Sequence, residues 1–163
     1  MGNPQGNAKE ADIAWLAGFW DGEGTVSLQF KNGHLRTRNG LISPYVQLCG
    51  TSVVALERTH TILTDLGVGH HIQWPTLRPH PKAMSKLAQW RLSVQGMKRV
   101  AVFLQTVGPY LVVKAEPARI VGAFIALRAA KTTNTPYEDA EWALLAQVRT
   151  TSLKQGLVAV EAA

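Results

Sequence analysis

Apolar residues Ile13, Leu16, Ala17 and Trp20 recur at helical spacing and the run breaks at Gly22 and Gly24, glycines free to adopt conformations that a side chain penalises. The pattern predicts a helix ending at about Asp21 to Gly22. The period then shortens: Val26, Leu28 and Phe30 alternate with Ser27, Gln29 and Lys31, the signature of a half-buried strand over 25–31. Asn32-Gly33 and Asn39-Gly40 flank a basic tip, and the chain returns through Tyr45 to Cys49, which makes a hairpin. Ser52 is placed to cap a helix over 53–66, with Leu56, Ile62, Leu63 and Leu66 as its apolar stripe and Gly67 as its stop. A second hairpin joins 70–77 to 88–94 through a proline-rich tip, with Trp90, Leu92 and Val94 facing inward and Gln89, Arg91 and Ser93 outward. Gly96 and Gly108 bracket a further helix and a longer one covers 117–130. Pro136 at a first helical position predicts another from Tyr137 to about Thr150.

The order αββαββα with a C-terminal helical extension predicts an α+β fold, a four-stranded antiparallel sheet backed by helices. The expected organisation is an unstructured arm over 1–10, one domain over 11–155 and a tail over 156–163. With 163 residues, 46% of them hydrophobic and 17% charged, the chain can bury one substantial core.

Charge placement changes the picture more than composition does. The net charge is +6, yet acids are missing from 24–56 and again from 66–115. A surface of one sign attracts a polyanion, and nucleic acid is the commonest one in a cell. If the helices cover one sheet face, the other is rich in Ser27, Gln29, Lys31, Gln47, Gln89 and Arg91, side-chain types that read base edges in the major groove. Arg36 and Arg38 in the first tip, and Arg78 and Lys82 in the second, extend this basic surface, Lys82 as a phosphate contact. Ordinary solvent-facing strand residues would look the same. The single cysteine, Cys49, excludes an intrachain disulfide and any multi-cysteine zinc site, and is expected as a small buried strand residue. The tryptophans are expected mostly in the core. No signal core or presequence pattern appears at the N-terminus, so the expectation is a soluble intracellular protein with no membrane partner, in a bacterial-type cytoplasm or an organelle.

The end of the first helix carries the candidate chemistry. Asp21 and Glu23 add negative charge at the negative end of the helix dipole, at a cost of about 0.3–1 kcal/mol each. A cation reverses that sign, and unpaired last-turn carbonyls beside a carboxylate are oxygen ligands for Mg²⁺ or Ca²⁺. Ala14, Gly18 and Gly22 lie along one stripe of the same helix, where a second backbone can approach closely. Two such helices would bring two acidic ends together, the geometry that metal-assisted phosphodiester hydrolysis uses. Other candidates fall away: the DGEG segment lacks the later ligands of an EF-hand, no glycine-rich phosphate loop occurs, and His70 and His71, adjacent on a strand, face opposite sides.

The run Leu16-Ala17-Gly18-Phe19-Trp20-Asp21-Gly22-Glu23-Gly24 resembles the signature of the LAGLIDADG homing endonucleases nearly position for position, with Glu23 for the last aspartate and an aromatic at Trp20 as departures. The hairpin after the motif, the Leu66-Gly67-Val68-Gly69 turn and Pro109-Tyr110-Leu111 followed by Lys114 extend the resemblance over roughly 10–130. It implies a homodimer that cuts both strands of a long, near-palindromic DNA site. It further implies that Glu23 binds Mg²⁺ beside the Gly22 carbonyl, with Ca²⁺ or Mn²⁺ as substitutes, and that Lys114 steadies the phosphate. Thr51 stands where related enzymes carry a water-positioning polar residue; no basic residue follows one turn later, where Ala55 and Leu56 stand. Asp21 is left with two readings, an acceptor behind the metal site or an anchor for the helix end. The rival function on the same scaffold is a non-cleaving DNA-binding regulator or an RNA maturase.

Overall fold

The computed structural model describes residues 4–31, 40–74 and 88–161, and the side chains of 9–31, 40–74 and 88–151. The elements are α1 (Pro4–Glu23), β1 (Gly24–Lys31), β2 (Leu41–Gly50), α2 (Val53–Asp65), β3 (His71–Gln73), β4 (Trp90–Gln95), α3 (Met97–Thr106), a 3₁₀ turn (Gly108–Tyr110), α4 (Ala115–Arg128) and α5 (Asp139–Glu161). The four strands form one antiparallel sheet in the order β1-β2-β4-β3, so the αββαββα order with an added helix is present as read.

Alternation along the strands decides where the core sits. Val26, Leu28, Ile42, Val46, Leu48, Leu92 and Val94 are buried on one face and meet Leu16 and Trp20 of α1, Leu63 of α2, Phe103 of α3 and Phe124 of α4. Trp20 and Phe103 pack with ring centroids 4.7 Å apart, joining the first helix to the third beneath the sheet. Ser52 caps α2 as expected, accepting from the Ala55 amide at 3.3 Å.

The backbone is helical from Pro4 onwards, within the segment expected as an unstructured arm over 1–10, where Pro suits a first helical turn and Ala8, Lys9 and Glu10 are helix formers. At the other end α5 runs on through Glu161, into the segment expected as a tail over 156–163. That helix also begins at Asp139, not Tyr137; the Tyr137 hydroxyl instead accepts from the Ile42 amide at 2.9 Å and donates to the Ile42 carbonyl at 3.3 Å, beyond the end of β4 where no described strand pairs with that side of β2. Glu138 then serves as the cap, its amide donating to the Glu141 carboxylate at 2.8 Å. Finally, neither Gly22 nor Gly24 has a positive φ. Gly24 is required for space instead, since a Cβ there would overlap the Trp20 indole.

Candidate functional site

The last turn of α1 contains no basic residue, so Asp21 and Glu23 meet the negative helix end without help from their own helix. Compensation for Asp21 comes from another element. Its two carboxylate oxygens accept the Val112 amide at 2.7 Å and the Lys114 amide at 2.8 Å. Lys114 is the N-cap of α4, so the carboxylate lies at that helix's positive end, and hydrogen bonds to a charged acceptor, worth about 1.5–3 kcal/mol, outweigh the dipole penalty. Asp21 is therefore an anchor that fixes the Val112–Lys114 turn to the motif helix. Glu23, one residue past Gly22, is exposed, and the structure brings the backbone of Lys114 to the same corner.

Gly24 pairs with Leu48, so Gly50 and Thr51 continue past the start of β1, at the end of the sheet from which α1 enters. The turn is packed against Trp90, whose indole donates to the Ser52 carbonyl at 3.0 Å and whose ring leaves no room for a Cβ at Gly50. Among the described residues no three His, Cys, Asp or Glu side chains converge. The donor set at the corner is one free carboxylate, Glu23, with helix-end carbonyls such as that of Gly22. Oxygen-only donors suit a hard divalent cation, and the remaining ligands would have to come from water, a phosphate or a second copy of the chain.

The sheet face away from the helices is polar across all four strands. Gln29 and Gln47 are half-buried on it, Arg91 is exposed and Gln89 is exposed one residue before β4. Lys31 is exposed at the far end of β1. Ser27 departs from its expected exposure, being 9% accessible with its hydroxyl donating to the Leu28 carbonyl. It stands opposite Tyr45, a larger side chain on the same face. Cys49 is not a core residue either: it shares this outer face, opposite Arg91, and accepts from the Gln47 amide group at 3.4 Å. Ser43, Tyr45, Gln73 and Gln95 belong to the same face and were not among the sequence candidates; counting in twos from Gln47 and Arg91 points to Ser43, Tyr45 and Gln95. Arg36, Arg38, Arg78 and Lys82 lie outside the described residues. Of the tryptophans, Trp20 and Trp90 are buried as expected, whereas Trp74 is 58% exposed at the end of β3.

Ala14, Gly18 and Gly22 all face outward, and a Cβ added at Gly18 or Gly22 would meet nothing within 4 Å. Small size at these positions is not needed for packing within one chain. Beside the stripe Val112 is 81% exposed, with Val54 at the start of α2 77% exposed. No described helix is long and apolar enough to cross a membrane.

No protein-family model and no curated protein matches this sequence. Solved structures do match. The homing endonuclease I-CvuI, in complex with the I-CreI target in the presence of Mg, superposes with a TM-score of 0.58 at 19% identity, covering 92% of this chain and 83% of that one. The archaeal intron-encoded homing endonuclease I-Vdi141I, complexed with DNA, superposes with a TM-score of 0.53 at 14% identity, covering 88% of this chain and 98% of that one. The LAGLIDADG homing endonuclease I-GzeII in complex with its DNA target gives a TM-score of 0.55 at 12% identity over 85% of this chain and 43% of that one. The α+β fold is the fold of these proteins.

Proposed function

We propose that this chain, which has the fold of the LAGLIDADG homing endonucleases, is a site-specific double-strand DNA endonuclease of that family, working as a homodimer on a long near-palindromic target. The observation that carries the reading is the corner where Glu23 stands free while Asp21, its neighbour in the motif, is consumed in holding Lys114. A carboxylate left exposed at the negative end of a helix is a local cost that binding of a cation removes.

In this reading Glu23 and the Gly22 carbonyl hold a divalent cation, Mg²⁺ in the cell with Ca²⁺ or Mn²⁺ able to take the same oxygens. Such an ion supplies charge neutralisation at the scissile phosphate and a lower pKa for attacking water. The chain's own residues do the positioning. Lys114 offers an ammonium to the phosphate, at a place set by the hydrogen bond that its backbone amide donates to Asp21. Thr51 offers a hydroxyl to order water at the same corner. The polar sheet face lies along the major groove, where Arg91, Gln29 and Gln47 meet base edges. The outward stripe of Ala14, Gly18 and Gly22 packs against its copy, placing two Glu23 corners over the centre of the site.

A plasmid library carrying randomised inserts, incubated with the protein and Mg²⁺, tests this. The expected outcome is double-strand cutting at one family of inserts, abolished by Glu23→Gln while the variant still binds the selected site. Near-normal cutting by Glu23→Gln overturns the mechanism, and binding without cutting at any Mg²⁺ concentration points to the non-cleaving regulator.

A further inference from the structure

Away from the motif corner, α2 and the turn leading into β3 bring two histidines into direct contact. His60 Nδ1 and His70 Nε2 are 2.7 Å apart, with the rings edge-on and centroids 5.0 Å apart. The tautomers follow from the surroundings. His70 Nδ1 lies 2.8 Å from the Val68 carbonyl, which can only accept, so that nitrogen carries a hydrogen and, in the neutral ring, His70 Nε2 presents a lone pair. The hydrogen between the rings therefore belongs to His60. A backbone carbonyl holding the far N–H of an imidazole is the arrangement that orients metal-ligating histidines. Here it is already in place, on a half-buried side chain, next to a second ring at the surface.

We propose that His60 and His70 form a two-nitrogen site for an imidazole-preferring divalent cation, Cu²⁺ first and Ni²⁺ or Zn²⁺ after it. Metal–nitrogen bonds of about 2.0–2.1 Å place two ligands about 2.9 Å apart at a right angle and about 3.3 Å apart in a tetrahedron. The ion would sit on the His70 Nε2 lone pair, where His60 Nδ1 now points, so the exposed His60 ring swings aside by about 2 Å to take the neighbouring position. The right-angle arrangement and the order of intrinsic affinities favour Cu²⁺ and Ni²⁺. On binding, the His60 ring changes tautomer: its hydrogen moves from Nδ1 to Nε2 by exchange with water, so the ring stays neutral and the freed Nδ1 lone pair turns to the ion. No third His, Cys, Asp or Glu joins the pair among the described residues, so water completes the coordination and the site is exchangeable. The ion would clamp the middle of α2 to the residue preceding β3, the edge strand of the polar sheet. His70 pairs with His60, ten residues earlier on the preceding helix, and not with its chain neighbour His71.

Titration of the full-length protein with Cu²⁺ alone, without DNA, tests the site. Expected results are one Cu²⁺ per chain, an electron paramagnetic resonance spectrum showing coupling to two ring nitrogens, and a melting temperature raised by about 5–10 °C at a hundredfold excess over Kd. His60→Gln and His70→Gln should each abolish the shift, with His71→Gln binding as the parent does. Because the spectrum is recorded on the unaltered protein, misfolding of a variant does not remove the test. A spectrum without two-nitrogen coupling, or a stoichiometry unchanged by both substitutions, overturns the proposal.

Discussion

At the scale of single residues, Asp21 and Glu23 look alike in the sequence, two carboxylates at the wrong end of a helix. Tertiary contact separates them. Asp21 accepts amides from Val112 and Lys114, 91 and 93 residues away along the chain, while Glu23 stays exposed. Asp21→Asn keeps one acceptor oxygen and turns an NH₂ group towards an amide that needs an acceptor. Stability should fall by about 1–3 kcal/mol in urea melts. Cleavage in single-turnover assays should drop about 10–100-fold, the usual cost of losing a group that orients a reacting one, with DNA affinity nearly unchanged. Unaltered cleavage by a folded Asp21→Asn protein would separate the anchor from the chemistry.

At the scale of elements, the sheet puts its information on one face. Along β4, Arg91 and Gln95 are exposed and Trp90, Leu92 and Val94 buried, while Ser93, expected outward and on the same side as Arg91, is buried as well. Arg91→Ala should relax the preference at one or two symmetry-related base positions by about 1–3 kcal/mol, with the other positions unaffected in a profile of cleaved targets. An unchanged profile would place base reading elsewhere. Parity along β1 and β4 was legible because the alternation is strict. The burial of Ser27 and Ser93 was not, because covering depends on cross-strand neighbours such as Tyr45, which register alone decides, whereas Cys49, two residues on from Gln47, follows the same parity.

At the scale of the whole molecule, two features govern assembly and stability. Gly18 has open space around it within one chain, so Gly18→Leu should leave the monomer fold intact and weaken a helix-to-helix dimer by about 1–3 kcal/mol, roughly five- to 150-fold in dissociation constant by sedimentation. A parent protein that sediments as a monomer and still cuts both strands would remove the dimer from the mechanism. The second feature is the buried cluster that fastens α5 to α4: Glu141 lies 3.3 Å from both Arg128 and Lys131, and Arg128 stacks over the Tyr137 ring. Burial pushes the Glu141 carboxyl up, but the Glu138 amide and the Lys131 and Arg128 charges outweigh it and hold the group below its ordinary 4.5. A lowered folded value means that this stabilisation is present above 4.5 and is lost as the pH falls through the lowered value. Glu141→Ala leaves Arg128 without its carboxylate and should cost about 3–5 kcal/mol at neutral pH, with a shallower loss of stability on acidification. Chemical denaturation at several pH values would show it.

By itself the sequence determined the helix and strand periods, the polar sheet face, the Ser52 cap and the acidic end of the motif helix, because each depends on residues within a few positions of one another. It also singled out Glu23 and Lys114, through a run of residues specific enough to stand for a fold. Only the tertiary structure decided which carboxylate is spent and which is free, that Tyr137 completes the backbone of Ile42 instead of starting a helix, that Gly24 serves space and not conformation, and that His70 meets His60 and not its neighbour. The carboxylate and the tyrosine turn on partners more than ninety residues away, and the glycine and the histidines on neighbours four and ten residues off whose side-chain placement only folding sets; in each case local propensity is silent and the partner that arrives by folding sets the energy.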